Sequence, residues 1–272
     1  MNLDHHRGIQ VRHGELSEID DAIVIEDRFQ ILFNNCPVTE MIASRDQLLE
    51  LGAGFVITEG LTRCVDKVKL DGDRILVYSD RGCDVSRSKK EVGSSGGVSI
   101  LAEQRKVSSD IRITPEDVFS CTREIETELW RKTGAVHCSV LFSEGKCAVK
   151  SSDVGRHNTV DKVVGHAILN GIDLSRCVIG CTGRQPAGMI KKDANAGIPV
   201  VISRTASTDK GIAAAEAAGI TLVCFSRGDR FTIYTHPQRI LGPGNPHPVQ
   251  CHEAQSYSLW LKNGTIHNGR NW

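Results

Sequence analysis

The densest run of chemically capable side chains in this 272-residue sequence is "SSDVGRHNTVDKVVG", residues 151–165. Asp153, Arg156, His157, Asn158, Asp161 and Lys162 follow one another there across a strand-to-helix junction. A helix start presents free backbone N–H groups and a positive dipole potential, so it favours an anion, and Arg156 and His157 would strengthen that field. His157 and Asp161 are four residues apart, which places them on one helix face, within reach of an acid–base or orienting pair. The same residues would also serve as a polar cap on a solvated helix start. Three later segments add guanidinium groups: "CTGR" with Thr182, Gly183 and Arg184, "SRTAST" with Ser203, Arg204, Thr205 and Thr208, and "FSRGDR" from Phe225 through Ser226, Arg227, Gly228 and Asp229 to Arg230. Each follows an apolar run of strand length. In an open α/β sheet ligands sit at the carboxyl ends of strands, and arginine there is suited to phosphate. Arg184, Arg204 and Arg227 therefore converge on one sheet edge as an expected anion pocket, with an ordinary polar rim as the alternative.

Thiol chemistry is harder to place. Ten cysteines lie at positions 36, 64, 83, 121, 138, 147, 177, 181, 224 and 251, and no two are separated by two residues, so zinc spacing is absent and no metal site is expected. Most sit inside apolar runs and read as reduced, small hydrophobic residues. Cys83, in the polar stretch "DRGCDVS", is the candidate with the most exposed setting. Near it, "KKEVGSSGGVSIL", residues 89–101, has the glycine–serine character of a linker, a phosphate cradle or a reactive loop, yet holds no group that is a nucleophile at neutral pH.

These groups have to be positioned by elements that the hydrophobic pattern marks out. "AIVIED" and "RFQILFN" read as strands, "SRDQLLELGAGFVITEG" as a helix capped by Ser44, and "VDKVKLDGDRILVYSD" as a hairpin turning at Asp71-Gly72-Asp73. A helix is expected from Pro115, after Thr114, to Gly134, followed by a hairpin turning at Glu144-Gly145 and a helix closed by Gly171. From Cys177 the order becomes strand, helix, strand, helix, strand, with a final hairpin strand "RFTIYTH". Doubly apolar strands alternating with short Ala-rich helices specify an α/β unit of three layers with largely parallel strands. The expected division is a β-rich portion with one helix over 1–110, an α/β domain over 111–240 and a tail over 241–272.

Lys and Arg number 33, as do Asp and Glu, so nothing in the global charge recommends nucleic acid or an anionic membrane as partner. No run approaches the length of a membrane span, and the N-terminus is too polar for a secretory signal, so a cytoplasmic protein is expected.

Taken together, "GFVITEG" (54–60), "TGAVHCSVLF" (133–142), "DVGRHNTVDKVVG" (153–165), "TGR" (182–184), "AGIPVVISRTAST" (196–208) and "GITLVCFSRGDRFTIYTHPQRI" (219–240) resemble the formate dehydrogenase accessory sulfurtransferases, the FdhD/NarQ family. The resemblance covers roughly residues 20–240. It implies a cytidine-deaminase-like α/β fold, often dimeric. It also implies a sulfur carrier that takes a persulfide from a cysteine desulfurase and passes sulfur to bis-molybdopterin guanine dinucleotide before that cofactor enters formate dehydrogenase. The cofactor-binding segment of the family corresponds to Phe225–Arg230. The family's relay uses a C-x-x-C pair in the loop that here reads "GSSGGVS", and Gly96 and Ser99 stand at the two cysteine positions. A serine hydroxyl is not ionised at neutral pH and forms no persulfide. After "TGR", where relatives tend to carry Ser and Glu, this chain has Pro186 and Gly188. Loss of the pair sets a second role beside the first, a cofactor-binding chaperone that donates no sulfur. A zinc hydrolase of deaminase type would need a ligand spacing that is missing.

Overall fold

A computed structural model describes residues 3–81, 90–92, 98–100 and 105–240. Cys83, Gly96 and the tail from 241 lie outside the described residues, and Ser99 enters only through the backbone of a short strand.

The chain opens with a hairpin absent from the sequence-based expectation, β1 (Leu3–Arg12) and β2 (Glu15–Val24), turning at His13-Gly14. A second hairpin follows, β3 (Asp27–Phe33) and β4 (Cys36–Ala43), whose turn residues Asn34 and Asn35 both take positive φ, as a tight two-residue turn demands. Helix α1 (Leu48–Thr58) leads to the hairpin of β5 (Lys67–Asp71) and β6 (Arg74–Tyr78), and β6 pairs in parallel with β3 to complete a four-stranded sheet, β4-β3-β6-β5. Ser44 does not cap α1. The helix begins at Leu48 behind Gln47, without a side-chain cap; Ser44 lies outside it, its backbone N–H donating to the buried carboxylate of Asp153 at 3.0 Å and its hydroxyl buried without a hydrogen-bond partner among the described residues. Strands β7 (Lys90–Val92) and β8 (Val98–Ile100) pair with each other.

The single helix expected from Pro115 to Gly134 is two. α2 (Pro115–Ile125) starts on a capping box between Thr114 and Asp117, and α3 (Glu128–Thr133) ends at Gly134 in the left-handed region. Between them Glu126 is extended, and Thr127 opens the second helix by accepting from the Trp130 N–H. The local Ser/Thr cap outcompetes helix continuation there.

The main sheet has the order β10-β9-β11-β12-β13-β14. β9 (His137–Ser143) and β10 (Lys146–Asp153) form a hairpin, α4 (Arg156–Leu169) follows, and β11 (Cys177–Cys181), β12 (Val200–Ser203) and β13 (Thr221–Arg227) run parallel, separated by α5 (Ala187–Ala196) and α6 (Asp209–Ala218). β14 (Arg230–Thr235) closes the sheet antiparallel to β13. The alternation read from Cys177 onward is thus present as an α/β arrangement. One apolar cluster (Val118, Cys121, Ile125, Val140, Val178, Val200) lies between the sheet and α2. A larger one on the other face joins α4, α5 and α6 through α1 to Phe29, Ile31, Ile75 and Val77 of the four-stranded sheet, so the core is continuous across residue 110. Helices α1 and α4 cross on glycines: a Cβ at Gly54 would lie 1.7 Å from the carbonyl of Asp161, and one at Gly165 1.8 Å from that of Glu50. No described helix is long and apolar enough to cross a membrane.

Candidate functional site

Parallel order puts the last residues of β11, β12 and β13 on one edge, and antiparallel pairing brings the start of β9 and the end of β10 to the same edge: Cys181 is level with Ser139 and Ser203, and Asp153 with His137. Across that edge opens a cleft of about 460 Å³, lined by Glu126, Trp130, His137, Thr182, Arg204 and Arg227 among others. Thr182 is fixed by exchange with Cys138, its amide donating to the Cys138 carbonyl and its hydroxyl accepting from the Cys138 N–H, both at 3.0 Å.

Arg204 and Arg227 meet in the cleft, the Arg227 Nε donating to the Arg204 carbonyl at 2.7 Å. Arg204 lies 6.0 Å over the Trp130 ring and pairs with Glu126, and its pKa is drawn down by burial and then by Arg227. Phe225 takes positive φ at a bulge in β13, and its N–H donates to the Thr205 carbonyl. Ser226 is buried and bonded to Thr122 on α2 at 2.5 Å, so it faces away from the edge. Gly228 supplies the turn at positive φ, and Asp229 and Arg230 are exposed.

A second cationic group adjoins through His137. Arg156 packs against Gly183, where a Cβ would come within 3.1 Å of its Cδ, and its buried Nε has no hydrogen-bond partner among the described residues. Its pKa is lowered by burial and then by Arg184. Arg184 is exposed and forms no ion pair among the described residues. The His137 pKa is lowered by burial, then by Arg156 and Arg184, with Asp153 opposing, and its Nδ1 is 3.3 Å from the Thr182 hydroxyl. Two guanidiniums and a neutral imidazole lie at one strand edge, and the Asp153 carboxylate nearby is already paired with Lys162, so among the described residues the edge has a deficit that an anion would fill.

The start of α4 is arranged differently from its sequence reading. Asp153, fully buried, accepts from Gly155 N–H (2.9 Å) and Asn158 Nδ2 (2.8 Å) on one oxygen and from Ser44 N–H and Lys162 (2.7 Å) on the other. Its own carboxylate occupies the helix start. His157 makes no pair with Asp161. Asp161 turns into the interior, where Lys192 donates to both its oxygens at 2.9 and 3.0 Å and Thr58 to one at 2.5 Å. The His157 ring is pushed down to about 3 by burial, then by Lys192, Arg156 and His137, so it is neutral. Glu126 and Trp130 escaped the sequence reading because a continuous helix would have turned them along its surface. His137 stood inside a quoted motif without a role.

Among the described cysteines Cys36 is exposed, Cys64 and Cys147 are partly covered, and the rest are buried. Burial pushes Cys177 up to about 11 and Cys181 and Cys224 up to about 12, so none of the three is a thiolate at neutral pH.

A sequence model of the FdhD/NarQ family matches residues 24–241, which include every residue of the cleft. The chain belongs to the FdhD/NarQ family. Within this family, Protein FdhD of Methanocaldococcus jannaschii is 32% identical over 219 residues, covering 80% of this chain and 90% of that protein. The sulfur carrier protein FdhD of Bacillus subtilis is 29% identical over 244 residues, 84% of this chain and 93% of the relative. That of Methanothermobacter thermautotrophicus is 32% identical over 235 residues, 84% and 94%. A crystal structure described as that of a formate dehydrogenase accessory protein from Desulfotalea psychrophila superposes with a TM-score of 0.75 at 28% identity, over 88% of this chain and 99% of that one. Five of the six FdhD/NarQ motifs quoted from the sequence supply residues of the cleft, and the sixth, GFVITEG, lies in α1 within the core.

Proposed function

We propose that this chain is a formate dehydrogenase accessory protein that holds a guanine-dinucleotide molybdenum cofactor at the carboxyl edge of its main sheet before the cofactor enters the enzyme. The supporting observation is a cleft lined by Arg204, Arg227, His137 and Thr182, to which His137 joins the nearby charges of Arg156 and Arg184, with the Arg156 Nε buried and without a hydrogen-bond partner among the described residues. Those cations fit the phosphates of a dinucleotide, and Trp130 gives the cleft an aromatic wall for a base. Of the segment Phe225 to Arg230, Arg227 lines the cleft and would contact the same ligand. A mixed sheet with a parallel β11–β12–β13 run, helices on both faces and a ligand edge of this kind agrees with a cytidine-deaminase-like arrangement. The proposed partners are a cysteine desulfurase upstream and formate dehydrogenase downstream, in the cytoplasm.

Within this role two readings differ on sulfur. As a sulfur carrier the chain needs an accessible thiol, and Cys83 is the candidate. As a chaperone it binds cofactor only. Gly96 and Ser99 at the family's cysteine positions favour the chaperone, as does the burial of five of the eight described thiols, Cys36 being the exposed exception.

Titration with GDP as a guanine-nucleotide probe tests the cleft. Binding in preference to ADP is expected, and Arg204→Ala and Arg227→Ala each weaken it by about 10- to 100-fold, the worth of one charge-assisted hydrogen bond. Absence of GDP binding, or binding indifferent to both variants, rejects the cleft. Incubation with a cysteine desulfurase and cysteine, followed by peptide mass mapping, separates the two readings. A stoichiometric gain of about 32 Da on the Cys83 peptide supports the carrier, and an unchanged mass the chaperone.

A further inference from the structure

The amino edge of the main sheet, opposite the cleft, holds an arginine buried without a counter-charge. Arg239 follows β14, at the end of a short turn (Pro237–Arg239), and is 6% exposed. Its Nη1 donates to the Thr221 hydroxyl at 3.1 Å, and that hydroxyl, on a fully buried residue, donates to the His236 carbonyl at 2.7 Å. The first residue of β13 thus orients the guanidinium from one side. The Arg239 Nε is buried without a hydrogen-bond partner among the described residues, and Nη2 has none there either. Nε and Nη2 are two parallel donors of the arginine fork, the kind of edge that carboxylate and phosphate oxygens engage bidentately. Thr221 takes the other side, so this edge is what the fold leaves unused.

A second cation lies beside it. Ile113 pairs in parallel with Ile240, and the Ile113 N–H donates to the Arg239 carbonyl at 2.9 Å, which sets Arg112 next to Arg239. The exposed Arg112 is held by its own segment, its Nη1 donating to the carbonyls of Asp110 (3.2 Å) and Ile111 (3.0 Å). Neither arginine forms an ion pair among the described residues. The Arg239 pKa is lowered by burial and then by Arg112, with no described carboxylate opposing them. Burying a charge is costly unless an opposite charge and hydrogen bonds compensate it. The buried ammonium groups Lys162 and Lys192 each have a carboxylate at 2.7 Å; the guanidinium of Arg239 has only a hydroxyl.

We propose that Arg239 and Arg112 form a second anion site, which takes a phosphate-class oxyanion on the Nε–Nη2 edge of Arg239 beside the Arg112 charge. The length of β13, about 20 Å, separates this site from Arg227 in the cleft, so the two sites hold separate groups. Two adjacent guanidiniums suit an anion that carries more than one charge near neutral pH, as a phosphate does and a single carboxylate does not.

Heteronuclear NMR of the arginine Nε–H groups in the full chain reads the site directly. The Arg239 signal is the one lost in Arg239→Lys or, should that variant not fold, the one displaced by Arg112→Ala. Titration with sodium phosphate, against sodium chloride at matched ionic strength, is expected to move that signal to saturation with a Kd of about 1 mM or below. Arg112→Ala removes an exposed side chain, should keep the wild-type circular dichroism, and should weaken phosphate about tenfold at this signal. Arg204→Ala/Arg227→Ala disarms the cleft and should leave the titration unchanged. Acetate should require about tenfold higher concentration than phosphate. An Arg239 signal that ignores phosphate, responds equally to chloride or acetate, or keeps its phosphate affinity in Arg112→Ala would overturn the proposal.

Discussion

Lys192→Met is the substitution whose consequences the structure defines most closely. The Lys192 ammonium has four acceptors within 3.0 Å, two on Asp161 and one each on Glu59 and Thr58. Burial works to lower its pKa, but Asp161 and Glu59 outweigh burial and raise it, so it is charged throughout the working range. Methionine keeps most of the side-chain volume and removes the charge, leaving Asp161 (1% exposed) and Glu59 (3%) buried without their cation. Each carboxylate escapes by taking a proton. For a carboxyl with an unfolded pKa near 4, that costs about 4 kcal/mol at pH 7, which caps the loss per group. The two caps sum to about 8 kcal/mol, and no longer burying an ammonium returns part of it. A net loss of about 3–5 kcal/mol is expected, the usual cost of breaking a buried pair. At pH 5 the same protonation costs about 1.4 kcal/mol per carboxyl, so the loss falls to about 1–2 kcal/mol. The sign is fixed by Asp161, whose folded pKa burial already holds above the unfolded value while Lys192 pulls it down. Without Lys192 it rises further, the folded state holds the extra proton between the two values, and the variant gains on the wild type as pH falls from 7 towards 4. Urea unfolding followed by circular dichroism at pH 7 and pH 5 measures both quantities. A loss under about 1 kcal/mol at pH 7, or an equal loss at both pH values, would refute the network as described.

Three further expectations rest on separate contacts. Gly54→Ala and Gly165→Ala drive a Cβ into a backbone carbonyl of the facing helix, and each should cost at least about 2 kcal/mol, visible as a lower thermal midpoint. Thr114→Ala removes half of the capping box of α2 and should cost about 1 kcal/mol in the same melt, with no effect on nucleotide binding. His157 has a folded pKa depressed to about 3, so its contribution is complete above the unfolded value near 6.5 and is lost as pH falls through the interval between them. Stability should therefore decline by up to about 1.4 kcal/mol per pH unit below 6.5 through this group, and His157→Gln should flatten that slope in urea titrations at pH 6.5, 5.5 and 4.5.

The parts of the fold that sequence made legible are those decided locally. Apolar runs of four to seven residues separated by Ala-rich segments ending in glycine led directly to β11–α5–β12–α6–β13, because doubly buried strands and αL helix ends have strong local signatures. The hidden parts depend on distant partners. Asp161 was within reach of His157 by spacing, yet the ammonium of Lys192, thirty-one residues on, is the stronger partner for a buried carboxylate. Ser44 had the form of a cap, yet the helix starts only at Leu48, behind Gln47 in the left-handed region, and Ser44 is drawn into the interior, where its amide donates to Asp153, 109 residues away. At Glu126 two signals competed, helical periodicity and the Thr127 cap, and the cap prevailed, turning a surface glutamate into a wall of the cleft. The arginines at the strand ends were visible one by one. Their division into a pair beside Trp130 and a pair beside His137 followed only from the sheet order.

Helix α1 carries a consequence for how the protein is made. Nine of its eleven residues are buried, and it packs chiefly against α4, whose last residue lies 111 positions beyond the end of α1. At translation rates of about 5–20 residues per second, this apolar helix leaves the ribosome about 5–20 seconds before the surface that covers it. During that interval the nascent chain exposes Leu51, Phe55, Val56 and Ile57 with only the four-stranded sheet to shield one side. Chains truncated before residue 170 should consequently be captured by holdase chaperones or precipitate, and the yield of soluble protein should depend on how quickly the ribosome traverses the segment between the two helices.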